Sequence, residues 1–264
     1  MSDRALRADH SLLMSTVRQA GALALDYFDT DLKTWDKGND HPVTEADIAV
    51  DNLLKQKLLA ARPDYGWLSE ETADDLERLE RRRVWVCDPI DGTRAFMRGV
   101  PEFTVCVALV EDGKPILGAV YNPAKDEFFE AVLDGGARLN GRRIHPSDQD
   151  DAGEAHFLTA KRNMTYFDWP KPGEDMKCTW MNSIAYRMAL VACGRFDAAI
   201  SMAGKHDWDI AAADLILTEA GARCTTTRDK GFLYNQERPR HPNVIASGPN
   251  LHDELLSVLR AGGG

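Results

Sequence analysis

Val84-Trp85-Val86-Cys87-Asp88-Pro89-Ile90-Asp91-Gly92-Thr93 begins as an unbroken apolar run and ends in acids and turn formers. The first four residues predict a strand buried on both faces, because no polar side chain interrupts them. That strand stops at Asp88-Pro89. The tip of a strand is a rigid place to hold ligands. Pro89 stiffens the turn, and Gly92 permits an unusual backbone angle or the close approach of a ligand. In such a turn both carboxylates and the Ile90 carbonyl can point at one ion, and hard oxygen donors with room for water suit Mg²⁺. An EF-hand loop would place acids at alternate positions, whereas Asp88 and Asp91 are three apart. The competing reading is a capped surface turn, since Asp, Pro and Gly are ordinary turn residues.

Toward the N-terminus, Leu13, Val17, Ala20, Ala24 and Tyr27 recur at helical spacing and predict a helix from Asp9 to Phe28. A polar, glycine-containing loop, Lys37 to His41, separates it from a second helix. Thr44 is the expected N-cap there, with Glu45 and Asp47 in the electropositive first turn. Val50, Leu54, Leu58 and Ala61 form its apolar stripe, and Pro63 ends it. Trp67-Leu68-Ser69-Glu70-Glu71-Thr72 is a short apolar step running into carboxylates. The charged stretch Asp74 to Arg83 reads as a solvated surface segment.

Beyond the Asp-Gly turn, Phe103 to Val110, Ile116 to Tyr121 and Glu127 to Val132 read as strands joined by tight turns, with a further hairpin at Asn140-Gly141. A helix-flanked, largely antiparallel sheet is therefore expected over residues 1–147. The polar, acidic segment Asp148 to Glu154 marks the expected boundary to a second domain, 148–264. There, strands at Ala155 to Ala160, Phe196 to Met202 and Val244 to Ser247 alternate with helices at Ser183 to Cys193, Trp208 to Ala220 and Leu251 to Leu259. Such alternation predicts α/β layers.

The 264 residues are 44% hydrophobic and 28% charged, an ordinary globular composition with enough chain to bury a core. A formal net charge of -10 repels phosphate backbones, so no nucleic-acid polymer is expected as a partner. The five cysteines, Cys87, Cys106, Cys178, Cys193 and Cys224, are odd in number and widely spaced, which disfavours both disulfides and zinc. No apolar run approaches the ~20 residues that span a bilayer, and no signal-like segment opens the chain. A cytoplasmic protein without membrane partners is expected.

Acids also stand where apolar runs end elsewhere: Asp47 in a first helical turn, Glu70 and Glu71 after an apolar step, and Asp209 after Trp208. Taken singly, Asp47 and Asp209 suit helix capping. If Glu70, Asp88, Asp91 and Asp209 converge, they cannot all stay ionised without cations. Two ions ~3.5–4 Å apart can clamp the attacking and leaving oxygens of an in-line displacement. The amides of Gly92 and Thr93, at the start of a following helix, would then form a phosphate seat.

Val43-Thr44-Glu45-Ala46-Asp47, Ser69-Glu70-Glu71-Thr72, Asp88-Pro89-Ile90-Asp91-Gly92-Thr93 and Trp208-Asp209-Ile210-Ala211-Ala212 occur in the order seen in the inositol monophosphatase superfamily, which the chain resembles over nearly its whole length. The resemblance implies an αβαβα layered sandwich of the sugar-phosphatase type, Mg²⁺ dependence with two or three ions, common lithium sensitivity and a homodimer. Carried over residue by residue, it implies that Glu70, Asp88, Asp91 and Asp209 ligate metal through carboxylates and Ile90 through its carbonyl. Asp47 with Thr93 would orient and activate the attacking water near Glu70, and no covalent phosphoenzyme is expected.

After the Asp-Gly-Thr block this chain reads Arg94-Ala95-Phe96, where inositol-1-phosphate phosphatases usually read Thr-Asn-Phe. A basic residue there is more similar to 3'(2'),5'-bisphosphate nucleotidases and histidinol-phosphate phosphatases. Arg94 could offer a planar fork to a second phosphate, or simply be a surface arginine. Met202, four residues before His206, replaces a glutamate that often holds inositol hydroxyls. The expected substrate is therefore adenosine 3',5'-bisphosphate, with inositol-1-phosphate or histidinol phosphate as alternatives. Gly92, Thr93, Arg94, His206 and Asp209 are the candidate substrate contacts. His206 also suits a structural or rim role, and Lys161 and Arg162, after a strand, are either anion contacts or merely solvated. A non-catalytic binding protein on the same fold would be expected to show a damaged acid set. Here every matched acid and Thr93 is present.

Overall fold

The computed structural model describes residues 3–36, 38, 42–165, 169 and 175–261. Of the polar loop expected at Lys37 to His41, only Gly38 lies among these residues. Helix α1 (Asp3–Tyr27) starts earlier than its apolar spacing indicates, and Leu13, Val17, Ala20 and Ala24 are fully buried along it. Strands β1 (Thr34–Asp36) and β2 (Pro42–Thr44) form a small antiparallel hairpin that leads into α2 (Glu45–Ala61).

A seven-stranded sheet follows, built from β3 (Gly66–Ser69), β4 (Arg83–Asp91), β5 (Thr104–Glu111), β6 (Lys114–Asn122), β7 (Glu127–Val132), β8 (Gly136–Leu139) and β9 (Arg142–Arg143), in that spatial order. A single turn, α3 (Thr93–Phe96), interrupts it after β4. Only the β3–β4 pair is parallel.

The remainder runs through β10 (His156–Leu158), β11 (Lys177–Thr179), α4 (Ile184–Ala192), β12 (Ala198–Ser201), β13 (Lys205–His206), α5 (Asp207–Ala220), β14 (Arg223–Thr225), β15 (Arg240–His241), β16 (Val244–Ser247) and α6 (Pro249–Ala261). The second sheet has the order β11-β10-β12-β16-β14, while β13 and β15 pair separately.

Five layers result, and the two-residue alternation of each strand explains them. On β4 and β5, Trp85, Cys87, Val105, Val107 and Leu109 face α1 and α2. Val84, Val86, Cys106, Ala108 and Val110 face α4 and α5, whose opposite sides meet Leu158, Ala199, Val244 and Ala246 of the second sheet. The far side of that sheet packs Phe157, Ala198, Ile200 and Ile245 on Leu251, Leu255 and Leu259 of α6. Both faces of both sheets are thus covered, which is why their strands read as continuous apolar runs. Gly118 lets α5 lie directly on β6: a Cβ there would stand 2.7 Å from the Ala212 carbonyl oxygen.

The charged segment Asp74 to Arg83 is solvated as expected except at Arg78 and Arg83. Glu77–Glu80 forms a 3₁₀ turn, and Arg78 within it is 1% exposed. Its guanidinium pairs with Asp74 at 2.7 Å and donates to Asn235 Oδ1 at 2.7 Å and the Gln236 carbonyl at 3.1 Å. Arg83 is also buried, donating to Asp9 at 2.9 Å and Glu111 at 2.8 Å. A buried arginine paired with carboxylates is tolerable where an isolated charge is not, although Arg83 Nη2 has no partner among the described residues.

Candidate active site

Parallel pairing of β3 with β4 sets Ser69 opposite Cys87, so the next residues, Glu70 and Asp88, emerge side by side. The Glu70 amide donates to the Cys87 carbonyl at 3.3 Å and extends that register. Against β5, Asp88 pairs with Cys106 and Asp91 with Thr104, so β4 carries one extra residue between the two acids. Such a bulge re-aims side chains at a strand end. Gly92 then takes φ 103°, and a Cβ on it would lie 2.6 Å from the Glu102 carbonyl, so glycine is required at this turn. The helix expected after it is the four-residue turn α3, whose own dipole contributes little to a phosphate seat.

Carboxylate oxygens of Glu70, Asp88 and Asp209 lie within 4.8 Å of one another. Asp209 arrives from the first turn of α5, with one oxygen accepting from the His206 amide at 2.7 Å. Asp91 and Ile90 line the same cavity. Asp91 is turned toward the start of α4, where its Oδ2 accepts from Ser183 Oγ at 2.7 Å and from the Ala185 amide at 2.8 Å. Asp47 sits behind the wall rather than on it. Its Oδ2 accepts from the amide and hydroxyl of Thr44 at 2.7 and 2.6 Å, and its Oδ1 lies 3.2 Å from Thr93 Oγ1. The Thr93 hydroxyl also reaches the Ile90 carbonyl at 3.1 Å. It has one proton, so it can donate to only one of these acceptors at a time.

Burial and mutual repulsion dominate the electrostatics. Burial, then Glu70, Asp91 and Asp209, push the Asp88 carboxyl well above the usual range. Burial and Asp209 bring Asp91 up to about 6, against the lowering effect of Ser183, Ala185 and Lys205. Burial likewise raises Asp209 and Asp47. Asp88 Oδ2 is buried without a hydrogen-bond partner among the described residues. An orphaned, desolvated carboxylate oxygen inside an all-oxygen acid cluster is the chemistry a hard divalent cation satisfies.

The cavity holding these groups measures about 690 Å³. Gly92, Thr93, Arg94, Lys205, His206 and Asp209 line it, joined by Trp180, Asn182, Ser183, Arg187 and Arg240. Lys161 and Arg162 are exposed and are not among its lining residues, and Met202 packs against the core under α6. Sequence gave no notice of Ser183 or Arg187, which sit at a helix start and within a buried helix. Asp51 also went unmarked, although it stands one turn after Asp47 on the buried side of α2. It accepts from Ser69 Oγ and from Thr72 Oγ1, the latter at 2.7 Å, and so fixes the turn that presents Glu70.

Residues 7–262 match the model of the inositol monophosphatase family. An inositol-1-monophosphatase of Caulobacter vibrioides is 31% identical, covering 92% of this chain and 97% of its own. A histidinol-phosphatase of Chlorobaculum parvum is 32% identical, covering 96% and 97%. The solved inositol monophosphatase of Thermotoga maritima superposes with a TM-score of 0.81 at 27% identity, over 97% of each chain. Among the described residues no helix is long and apolar enough to cross a membrane. The chain belongs to the inositol monophosphatase family and is a metal-dependent phosphoric monoester hydrolase.

Proposed function

We propose that the protein hydrolyses a small phosphate monoester bearing a second anionic group, with adenosine 3',5'-bisphosphate as the preferred substrate. The observation that carries this reading is the number of cations in the cavity: beside the acids, Arg94, Arg187, Lys205 and Arg240 line it. A single phosphoryl group seated among metal ions does not call for four additional cations. Arg187 is 5% exposed, and burial holds its guanidinium down to about 10, so it is charged at neutral pH and its Nε has no partner among the described residues. A buried cation with an unused donor suits an anionic substrate group.

Glu70, Asp88, Asp91, Asp209 and the Ile90 carbonyl would hold Mg²⁺, two or three ions in all, and these donors are the hard oxygens that ion favours. Bound there, the cations neutralise charge on the phosphoryl group and favour ionisation of water. The chain's own residues do the rest. Thr93 Oγ1 accepts a hydrogen bond from the attacking water and donates its own proton toward Asp47 Oδ1, so the carboxylate is the base behind it, and Thr44 holds Asp47 in place. The Asp91 carboxylate is aimed by Ser183 and Ala185, so it needs little reorganisation. His206 stacks on Trp208 at 4.5 Å and borders the substrate side. Family membership supports the further readings of lithium inhibition and a homodimer.

Phosphate release with Mg²⁺ from adenosine 3',5'-bisphosphate, inositol-1-phosphate and histidinol phosphate tests the choice. The last two correspond to the names of the Caulobacter vibrioides and Chlorobaculum parvum relatives. The bisphosphate is expected to show the highest kcat/KM. A higher value for inositol-1-phosphate would overturn the substrate while leaving the reaction class intact.

A further inference from the structure

We propose that Trp180 is a stacking platform for a planar heteroaromatic ring in the leaving group. The inference rests on the hydrolase reading above but not on the bisphosphate. Trp180 is 59% exposed, the most open of the large apolar side chains among the described residues, and it lines the catalytic cavity. A tryptophan left facing water inside a substrate cavity leaves its ring face available to a ligand.

The ring is held rather than loose. It follows β11 directly. Two residues later, Asn182 is fastened by Glu102, which accepts from its amide at 3.0 Å and from its side chain at 2.8 Å. Ser183, next along, donates to Asp91 at 2.7 Å. The tether from the ring to the acid cluster is therefore three residues long and bonded at both of its last two positions. The Arg187 guanidinium carbon lies over the Trp180 ring, 5.2 Å from its centroid, so a fixed cation covers one face of the platform and the other face is the one a ligand ring would meet. Arg187 is buried and cannot swing away. A ring sandwiching against Trp180 would place an attached anionic group within reach of Arg187, while the phosphoryl group to be removed sits over Asp88 and Thr93.

Two ligand sources share this chemistry: the adenine of a nucleotide and the imidazole of histidinol phosphate. Inositol-1-phosphate offers no planar ring. The discriminating quantity is the kcat/KM for a ring-bearing ester divided by that for glycerol 2-phosphate, measured for the wild type, Trp180→Ala and Trp180→Phe. Stacking contributes enough per base that the ratio should fall about tenfold in Trp180→Ala and recover most of the way in Trp180→Phe. A fall seen with the adenine ester or with the imidazole ester identifies which source the platform serves, and either supports the proposal. A ratio that stays within twofold in Trp180→Ala for both esters overturns it. So does failure of Phe to restore any of the loss, or a wild type that turns over only inositol-1-phosphate. If histidinol phosphate is preferred and its ratio falls, the bisphosphate reading fails and the platform stands.

Discussion

Asp88 is the residue whose chemistry is most at odds with its surroundings. It is 1% exposed, is repelled by four other acids, and keeps one oxygen without a partner among the described residues. Without cations its charge opposes folding; under the proposed function it becomes a ligand when they bind. Asp88→Asn removes the charge and little volume. The variant is therefore expected to melt higher than wild type in chelator, and to lose at least about a hundredfold in kcat with Mg²⁺, because one cage donor is gone. Thermal denaturation in EDTA and phosphate release with Mg²⁺ check the two halves; a variant less stable than wild type in EDTA would show that Asp88 is structural. At this scale the acids themselves were legible in the sequence, because carboxylates that end apolar runs are conspicuous. Their supports were not. Asp51, Ser183 and Arg187 lie inside buried helices or at helix starts, where a polar residue reads as capping or as a solvated face until its neighbours are known.

Among the elements, long apolar runs were read well and short ones were not. The apolar start of strand β4 was plain because all nine of its residues are buried, but the strand does not stop at Asp88-Pro89 as expected and runs on to Asp91 across the bulge. The β1–β2 hairpin escaped notice because each strand has three residues and β1 is exposed throughout, which leaves no alternation to detect. The segment around Arg78 was read rightly as solvated but its buried arginine was missed, because a charge run carries no sign that one guanidinium will be paired inside. Helix α6 shows how a single titratable group can set an element's pH tolerance. His252 is fully buried, with its ring nitrogens at 2.8 Å from Ser247 Oγ and 2.9 Å from Thr225 Oγ1. Desolvation holds its pKa down to about 4, from 6.5. The unfolded chain therefore binds the extra proton between those values, so the stabilisation is complete above pH 6.5 and is lost as pH falls toward 4. The span corresponds to roughly 3 kcal/mol. Asp214 works in the opposite direction, since burial pushes its carboxyl up to about 6. Only a difference isolates the histidine. Denaturant melts of wild type and His252→Gln should diverge progressively below pH 6.5, with wild type losing stability faster. Parallel curves down to pH 4.5 would show that His252 does not titrate on unfolding.

For the molecule as a whole, the decisive feature is that one acid cluster draws on β3, β4 and α5, elements far apart in sequence. Spacing reveals each acid but not which sheets pair or that α4 and α5 are shared between them. The order of the strands β11-β10-β12-β16-β14 is a tertiary outcome, set by how both faces are covered. Because Glu70 and Asp88 come from the first sheet and Asp209 from the helix layer between the sheets, a cation that binds all three fastens those layers together. Unfolding must separate the ligands, so binding favours the folded state alone. At a hundred times the dissociation constant, that linkage supplies about 2.7 kcal/mol. For a chain of this size, it should raise Tm by roughly 5–10 °C. Calorimetry with Mg²⁺ and with EDTA is expected to show that difference in the wild type. Asp209→Asn should abolish most of it while leaving the EDTA melting temperature equal or higher, since α5 keeps its packing on β6. An undiminished Mg²⁺ increment in Asp209→Asn would mean that the cation is held by the first sheet alone and that the layers are not coupled through it.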